Sequence, residues 1–248
     1  MDRKIADIEY YANIITKSIL QSISSLDPES AIAFSGGLDS SFIAYLSRGK
    51  YSAYVCGIAE SHDVRAARKS AQILGLKCHE IIVEEQEIIE AALAVKKIDP
   101  GINLTDLGYE TMLALLLERT DEKILVTGQG SDEIFYGYNR FKEKPDLDNS
   151  ESISKLFEVT LPRETKIANY FGKKLILPYL QDPIIEIGSL PRSVHIVEGT
   201  NKFILRQTAI LSGMSRSISM ANKKAAQYGS GISRVLARKR SSLGFNHR

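Results

Sequence analysis

Two short segments constrain this chain more than any other feature. Each leaves an apolar run through a pair of glycines and carries an aspartate just beyond them. The first is Ser35-Gly36-Gly37-Leu38-Asp39-Ser40-Ser41, behind Ala31-Ile32-Ala33-Phe34. The second is Thr127-Gly128-Gln129-Gly130-Ser131-Asp132-Glu133, behind Ile124-Leu125-Val126. Apolar runs this short read as buried strands. Glycines between a strand and a helix let the backbone approach a ligand, and the free N–H groups of the helix start favour an anion there. Ser35, Ser40 and Ser41 add hydroxyl donors. Asp39 would repel phosphate unless a cation lay between them, so it implies Mg²⁺. Asp132 faces it from a neighbouring strand end and supplies a second carboxylate. The first segment is not a Walker loop, because no lysine sits in it, and it is not Gly-x-Gly-x-x-Gly.

The rest of the chain sorts around these loops. Ile5, Ile8, Ala12, Ile15, Ile19 and Ile23 recur at spacings of three and four, one face of a long helix ended by Asp27-Pro28. Residues 51–58 and 78–83 read as further strands, and 39–46 as a helix. Ser61 and Gly75 cap and end another helix between the strands. Helices at about 87–95 and 107–119 precede the strand at Ile124. Alternating strand and helix with buried strands predicts an α/β fold, a parallel sheet with helices on both faces. After about Tyr138 the pattern changes. Lys142 to Ser150 is polar, contains Pro145 and reads as a mobile loop, and the remainder reads as mainly helical, broken at Leu177-Pro178-Tyr179. The expected organisation is one domain: residues 1–140 as an α/β nucleotide-binding core and 141–248 as a helical portion.

Net charge is only +2, but it is unevenly spread. No acidic residue follows Glu198, whereas Lys202, Arg206, Arg216, Lys223, Lys224 and several more basic residues do. Such a segment meets an anion, whether a triphosphate, a nucleic acid or a membrane surface. Cys56 and Cys78 are too few and too far apart for a Cys-x-x-Cys site and read as buried hydrophobes. No apolar run approaches a membrane span and no signal-peptide pattern opens the chain, so a cytoplasmic protein with no membrane contact is expected.

The first loop resembles the pyrophosphate loop of the ATP pyrophosphatase (PP-loop) superfamily. The second, with Ile134-Phe135-Tyr136-Gly137-Tyr138 behind it, resembles the Gly-Glu-Gly-Ser/Ala-Asp-Glu segment of asparagine synthetases. Ser61-His62-Asp63 through His79-Glu80, Leu177-Pro178-Tyr179-Leu180 and Lys202-Phe203-Ile204-Leu205-Arg206 are similar to later motifs of the same family, in the same order, over about residues 15–232. The resemblance implies an adenine nucleotide alpha hydrolase-like fold and an AMP-forming carbon–nitrogen ligase using ATP and Mg²⁺. A small-molecule carboxylate becomes an acyl-adenylate, and ammonia or an amine displaces AMP. It implies nucleotide contacts from Ser35, Gly36, Gly37, Asp39, Ser40 and Ser41; strand and loop placement adds Ala33, Ile58, Gly128 and Gly130, with adenine expected near Ala33 and residues 56–58. It implies metal ligands Asp39 and Asp132, and a catalytic set of Asp132, Gln129 and Lys224, with Lys223 as the alternative register.

Three departures qualify this. Position 2 is Asp2, where glutamine-hydrolysing members carry a nucleophilic cysteine, so free ammonia, a separate glutaminase subunit or an amine substrate is expected. Gln129 stands in place of a glutamate, and a neutral amide can hydrogen-bond a substrate but cannot act as a base. Ile176 and Gln181 replace the family's Arg and Asp, with Asp182 one residue on, so the identity of the substrates stays open. Self-association is a further expectation. Competing readings are a tRNA-modifying ATP pyrophosphatase, favoured by the basic end, and a non-catalytic nucleotide-binding subunit.

Overall fold

The computed structural model describes residues 2–221 and 229–245. In chain order the elements that matter here are α1 (Asp2–Ser24), β1 (Ser30–Ala33), α2 (Leu38–Leu46), β2 (Ser52–Gly57), α3 (His62–Leu74), β3 (Cys78–Ile82), α4 (Glu85–Ile98), α5 (Leu104–Arg119), β4 (Ile124–Val126) and α6 (Ser131–Ile134). They continue through α7 (Asn139–Glu143), α8 (Ser150–Lys155), a π-helical turn (Leu156–Thr160), α9 (Leu161–Tyr170), β5 (Lys174–Ile176), a 3₁₀ turn (Pro178–Leu180), α10 (Asp182–Gly188), α11 (Arg192–His195), α12 (Phe203–Leu211), α13 (Arg216–Ser219) and α14 (Ile232–Arg238).

The isoleucine stripe of α1 does what its spacing demands. Ala12, Ile15, Ile19 and Ile23 are buried, and the helix lies on α12 and α10. Burying each isoleucine contributes roughly 1.5–3 kcal/mol, enough to hold an otherwise polar helix on the body. Ser61 caps α3 by accepting from the Val64 N–H at 3.4 Å, and Gly75 ends it at φ +64°, as the sequence predicts. Helix α5 begins three residues earlier than its apolar pattern, because Asn103 accepts from the Asp106 N–H at 2.9 Å and caps it. The polar stretch around Pro145 connects α7 and α8.

The five described strands form one parallel sheet in the order β3-β2-β1-β4-β5. Four of these were expected. The fifth, Lys174-Leu175-Ile176, lies in the portion read as helical; three residues show no period, and it is made a strand by pairing Leu175 with Leu125 and Ile176 with Val126. Side chains alternate between two apolar layers. Ile32, Ala53 and Val55 pack with α1, α2 and α12, while Ala31, Cys56 and Leu125 pack with α4, α5 and α14. The sheet is therefore covered by helices on both faces, and a mainly helical portion follows it.

The chain leaves β1 towards β2 and β3, then returns to the other side of β1 as β4. That reversal opens a crevice beyond the carboxyl ends of β1 and β4, where ligands gather in open α/β sheets. Both glycine loops lie there. No helix among the described residues is long and apolar enough to cross a membrane.

Candidate active site

The first loop is built as an anion cradle. Gly37 precedes α2, and among the described residues no side chain caps that helix start. Its leading N–H groups are therefore available to a ligand. The loop holds its own shape: the Ser35 N–H donates to Ser40 Oγ at 3.2 Å, and Ser70 Oγ donates to the Gly36 carbonyl at 2.8 Å. Gly36 sits at φ +73° with the backbone of Ala66 and Ala67 only 2.5 Å from where a Cβ would lie, so no other residue fits.

The two aspartates meet as expected, across an unexpected partner. Lys202 Nζ lies 2.7 Å from Asp39 Oδ1, 2.7 Å from Asp132 Oδ1 and 2.9 Å from Ser131 Oγ. Ser131 Oγ in turn donates to Asp39 Oδ1 at 2.8 Å. Lys202 is 2 % exposed and takes a left-handed backbone conformation, φ +53°, just ahead of α12. A lysine held there against both preferences marks a constrained site. Arg206 anchors its surroundings by donating to the Asn201 carbonyl at 2.8 Å and the Ser219 carbonyl at 2.7 Å. Asn201 donates to the Gly137 carbonyl. At Gly137 a Cβ would stand 2.0 Å from Asp132 Oδ1 and 2.3 Å from Lys202 Cε, so the glycine makes room for the ion pair. From the 3₁₀ turn, the buried Tyr179 hydroxyl donates to the Asp39 carbonyl at 2.9 Å, and Leu180 packs on Gly130. The later sequence motifs thus converge on the two loops.

A cavity of about 390 Å³ opens from these loops. Ala33, Ser35, Asp39, Ser40, Gly128, Gln129 and Asp132 line it, with Tyr54, Val55 and Cys56 from β2. Its other wall comes from α5, with Asp106, Tyr109, Glu110 and Leu113, and from Arg163 of α9. The remaining sequence-predicted residues lie elsewhere. Gly36 and Gly37 shape the loop, Ser41 is buried beneath it, and Gly130 packs on Leu180. Ile58 lines a separate cavity with Arg65, Gly231 and Arg234. Ile176, Gln181 and Asp182 do not line the first cavity. Lys223 and Lys224 lie outside the described residues.

Gln129 is held by a buried acid: its Nε2 donates to Glu164 Oε1 at 2.6 Å. Burial, then the neighbouring Glu110 and Glu133, raises the proton affinity of Glu164 well above that of an ordinary carboxylate. Burial pushes Glu110 up to about 8, against the pull of Arg163. Glu133 is also raised, by burial and then Asp132, and accepts from the Tyr138 hydroxyl. Cys56 is buried and its thiol pushed up to about 12, so it is no nucleophile at neutral pH, and Cys78 is half-buried with its thiol raised to about 11.

Sequence reasoning missed Glu110, Glu164 and Arg163, and saw Lys202 only as part of a motif. Glu110 carries a signal, a carboxylate within the apolar run of α5. Glu164 carries none, because its neighbours in sequence are polar.

Asp39 and Asp132 already converge on one ammonium, so the pair is built for positive charge. Among the described residues no group of three or more His, Cys, Asp or Glu could hold a metal. The donor set fits a cation that brings its other ligands on a polyphosphate, not one caged by protein alone.

The family model described as asparagine synthase matches residues 21–173. The putative asparagine synthetase (glutamine-hydrolyzing) 1 of Methanocaldococcus jannaschii is 27% identical over 284 residues, spanning 96% of this chain and 52% of that protein. The asparagine synthetase (glutamine-hydrolyzing) of Gallus gallus is 30% identical over 196 residues, 70% of this chain and 35% of that protein. The chain therefore spans about half, or less, of the length of the curated relatives it matches. Among solved structures, the NMN synthetase of Francisella tularensis superposes with a TM-score of 0.38 at 13% identity, covering 97% of this chain and 98% of that one, a likeness too distant to carry an argument. The matched stretch contains both glycine loops, both converging aspartates and most of the cavity wall, and on these grounds the chain belongs to the asparagine synthase family.

Proposed function

We propose that this chain is an ATP-dependent, AMP- and pyrophosphate-forming ligase that activates a carboxylate as an acyl-adenylate for attack by ammonia or an amine. The observation that carries this reading is the convergence of Asp39 and Asp132 beside the uncapped start of α2. The triphosphate lies along Ser35–Ser41, its phosphate oxygens taking backbone N–H groups and the Ser35 and Ser40 hydroxyls. A carboxylate oxygen of the substrate attacks the α-phosphorus, the bond to the bridging oxygen breaks, and pyrophosphate leaves. The amine nitrogen then attacks the acyl carbon, AMP departs with the former carboxylate oxygen, and the nitrogen loses a proton.

The triphosphate sets a polyanion beside Asp39 and Asp132, so a cation must come with it. Mg²⁺, bound with the nucleotide and held by Asp39 and Asp132, would neutralise charge on the departing pyrophosphate. Gln129 cannot take the proton from the attacking nitrogen. Its amide commits Nε2 to Glu164 and keeps Oε1 to orient an N–H donor.

The test is pyrophosphate release from Mg-ATP across a panel of carboxylates with ammonia or amines. Asp39→Ala and Asp132→Ala should each abolish release while circular dichroism stays unchanged. Near-normal release from either variant would remove the metal assignment and the reading built on it.

A further inference from the structure

The cavity wall opposite the glycine loops carries an ionic imbalance that the reaction above leaves unused. Helix α5 puts Asp106 and Glu110 one turn apart on that wall. Arg163 faces them, buried, and is shared three ways. Its Nε donates to Asp99 Oδ2 at 2.6 Å, while Nη1 lies 3.3 Å from Asp106 and 3.5 Å from Glu110 Oε1. Lys155 goes to Asp106 at 3.1 Å. Among the described residues two cations thus answer three carboxylates, and Glu110 receives the longest contact, on one oxygen.

Its other oxygen, Oε2, is buried with no hydrogen-bond partner among the described residues. Glu110 is 1 % exposed and lines the cavity. The neighbouring carboxyls are provided for: Glu133 accepts from Tyr138 and Glu164 from Gln129. Buried carboxylate oxygens are rarely left without a donor, and one that borders a cavity is completed by what enters it. The surroundings say what kind of donor. Leu113 and Leu116 continue along α5 beside Glu110, and Met112 also borders the cavity. An apolar flank beside a buried acid suits a nitrogen cation on an aliphatic stem better than a hydrated metal ion.

We propose that this wall binds the alkylammonium or guanidinium end of an organic substrate, whose N–H groups complete Glu110 Oε2 and whose stem lies against Leu113 and Leu116. The inference rests on the ligase reading and narrows it: the substrate carries a cationic nitrogen in addition to its reacting group. That excludes ammonia as the occupant of this subsite and leaves a diamine or an amino acid with a basic side chain.

Isothermal titration calorimetry on the full chain tests it, with 1,4-diaminobutane, lysine, ammonium chloride and the neutral n-butanol as probes. Each is titrated with and without Mg²⁺ and a non-hydrolysable ATP analogue. Diaminobutane or lysine should bind at least tenfold more tightly than n-butanol and ammonium. Glu110→Gln should weaken that binding at least tenfold, and Glu110→Asp, which restores the charge on a shorter stem, should recover part of it. A preference between diaminobutane and lysine identifies the source of the cation. Unchanged affinity in Glu110→Gln, equal binding of n-butanol, or no binding of either amine to the native chain would overturn the proposal. Binding of the ATP analogue is read separately: its failure would strike the ligase reading, while the amine arms without nucleotide still decide this one.

Discussion

Replacing Lys202 by methionine removes one ammonium and leaves its length and most of its packing. Both carboxylates it joins, Asp39 and Asp132, then lose that ammonium. Removing one member of a buried ionic network costs about 3–5 kcal/mol, because the charges left behind lose compensation in a low dielectric. For a chain of this size each kcal/mol moves the melting temperature by roughly 2–4 °C, so Lys202→Met should melt some 6–20 °C below the native protein. Two further measurements separate this cause from lost packing. Millimolar Mg²⁺ should raise the melting temperature of Lys202→Met more than that of the native protein, because the carboxylate pair accepts the metal in place of the ammonium. In an Asp39→Asn background, Lys202→Met should cost less than it does alone, by about 0.5–3 kcal/mol, the range expected of residues in direct contact. Calorimetry on the four proteins of this cycle supplies every number. A melting temperature within about 2 °C of native, or strictly additive losses, would refute the reasoning.

Gly137→Ala drives a methyl group into Asp132 and Lys202, so ATP-dependent pyrophosphate release should fall at least tenfold, and normal turnover would show that the ion pair tolerates displacement. Glu110→Gln should alter the pH dependence of stability. With a folded-state value of about 8 against 4.5 ordinarily, Glu110 of the ligand-free native chain keeps a proton, one a bound cation would displace, that the unfolded chain releases, so without ligand stability is lost as pH rises through that window, by at most about 1.4 kcal/mol per pH unit. Arg163, Asp99 and Asp106 are unchanged in the variant, so its thermal advantage should grow from pH 5 to pH 8, and an advantage independent of pH would count against a protonated Glu110. Lys224→Ala should lower turnover by roughly a hundredfold with little change in ATP affinity, as for a charge acting in the transition state. Unchanged turnover in both Lys224→Ala and Lys223→Ala, with salt-dependent RNA binding lost, would favour an RNA-modifying enzyme instead.

The sequence by itself determined the elements whose cause is local. The α1 stripe comes from isoleucines at helical spacing, the bounds of α3 from Ser61 and Gly75, and the anion loop from Gly36 and Gly37 behind an apolar strand. That both glycine loops end strands on the same edge of one parallel sheet was also legible, whereas the neighbouring of β1 and β4, which lets Asp39 and Asp132 face each other, was decided by the strand order. What depended on distant partners was not. Residues 174–176 form a strand only because β4 offers an edge to pair with. Lys202 lies 163 residues from Asp39, and nothing in its own segment says that its ammonium would be buried between two carboxylates. Glu110 became part of a site through the packing of α5 against α9, which set Asp106 and Glu110 beside Arg163 on one cavity wall. Local backbone preference is written in neighbouring residues; the charge balance of a cavity is a sum over elements, and it exists only once they have packed.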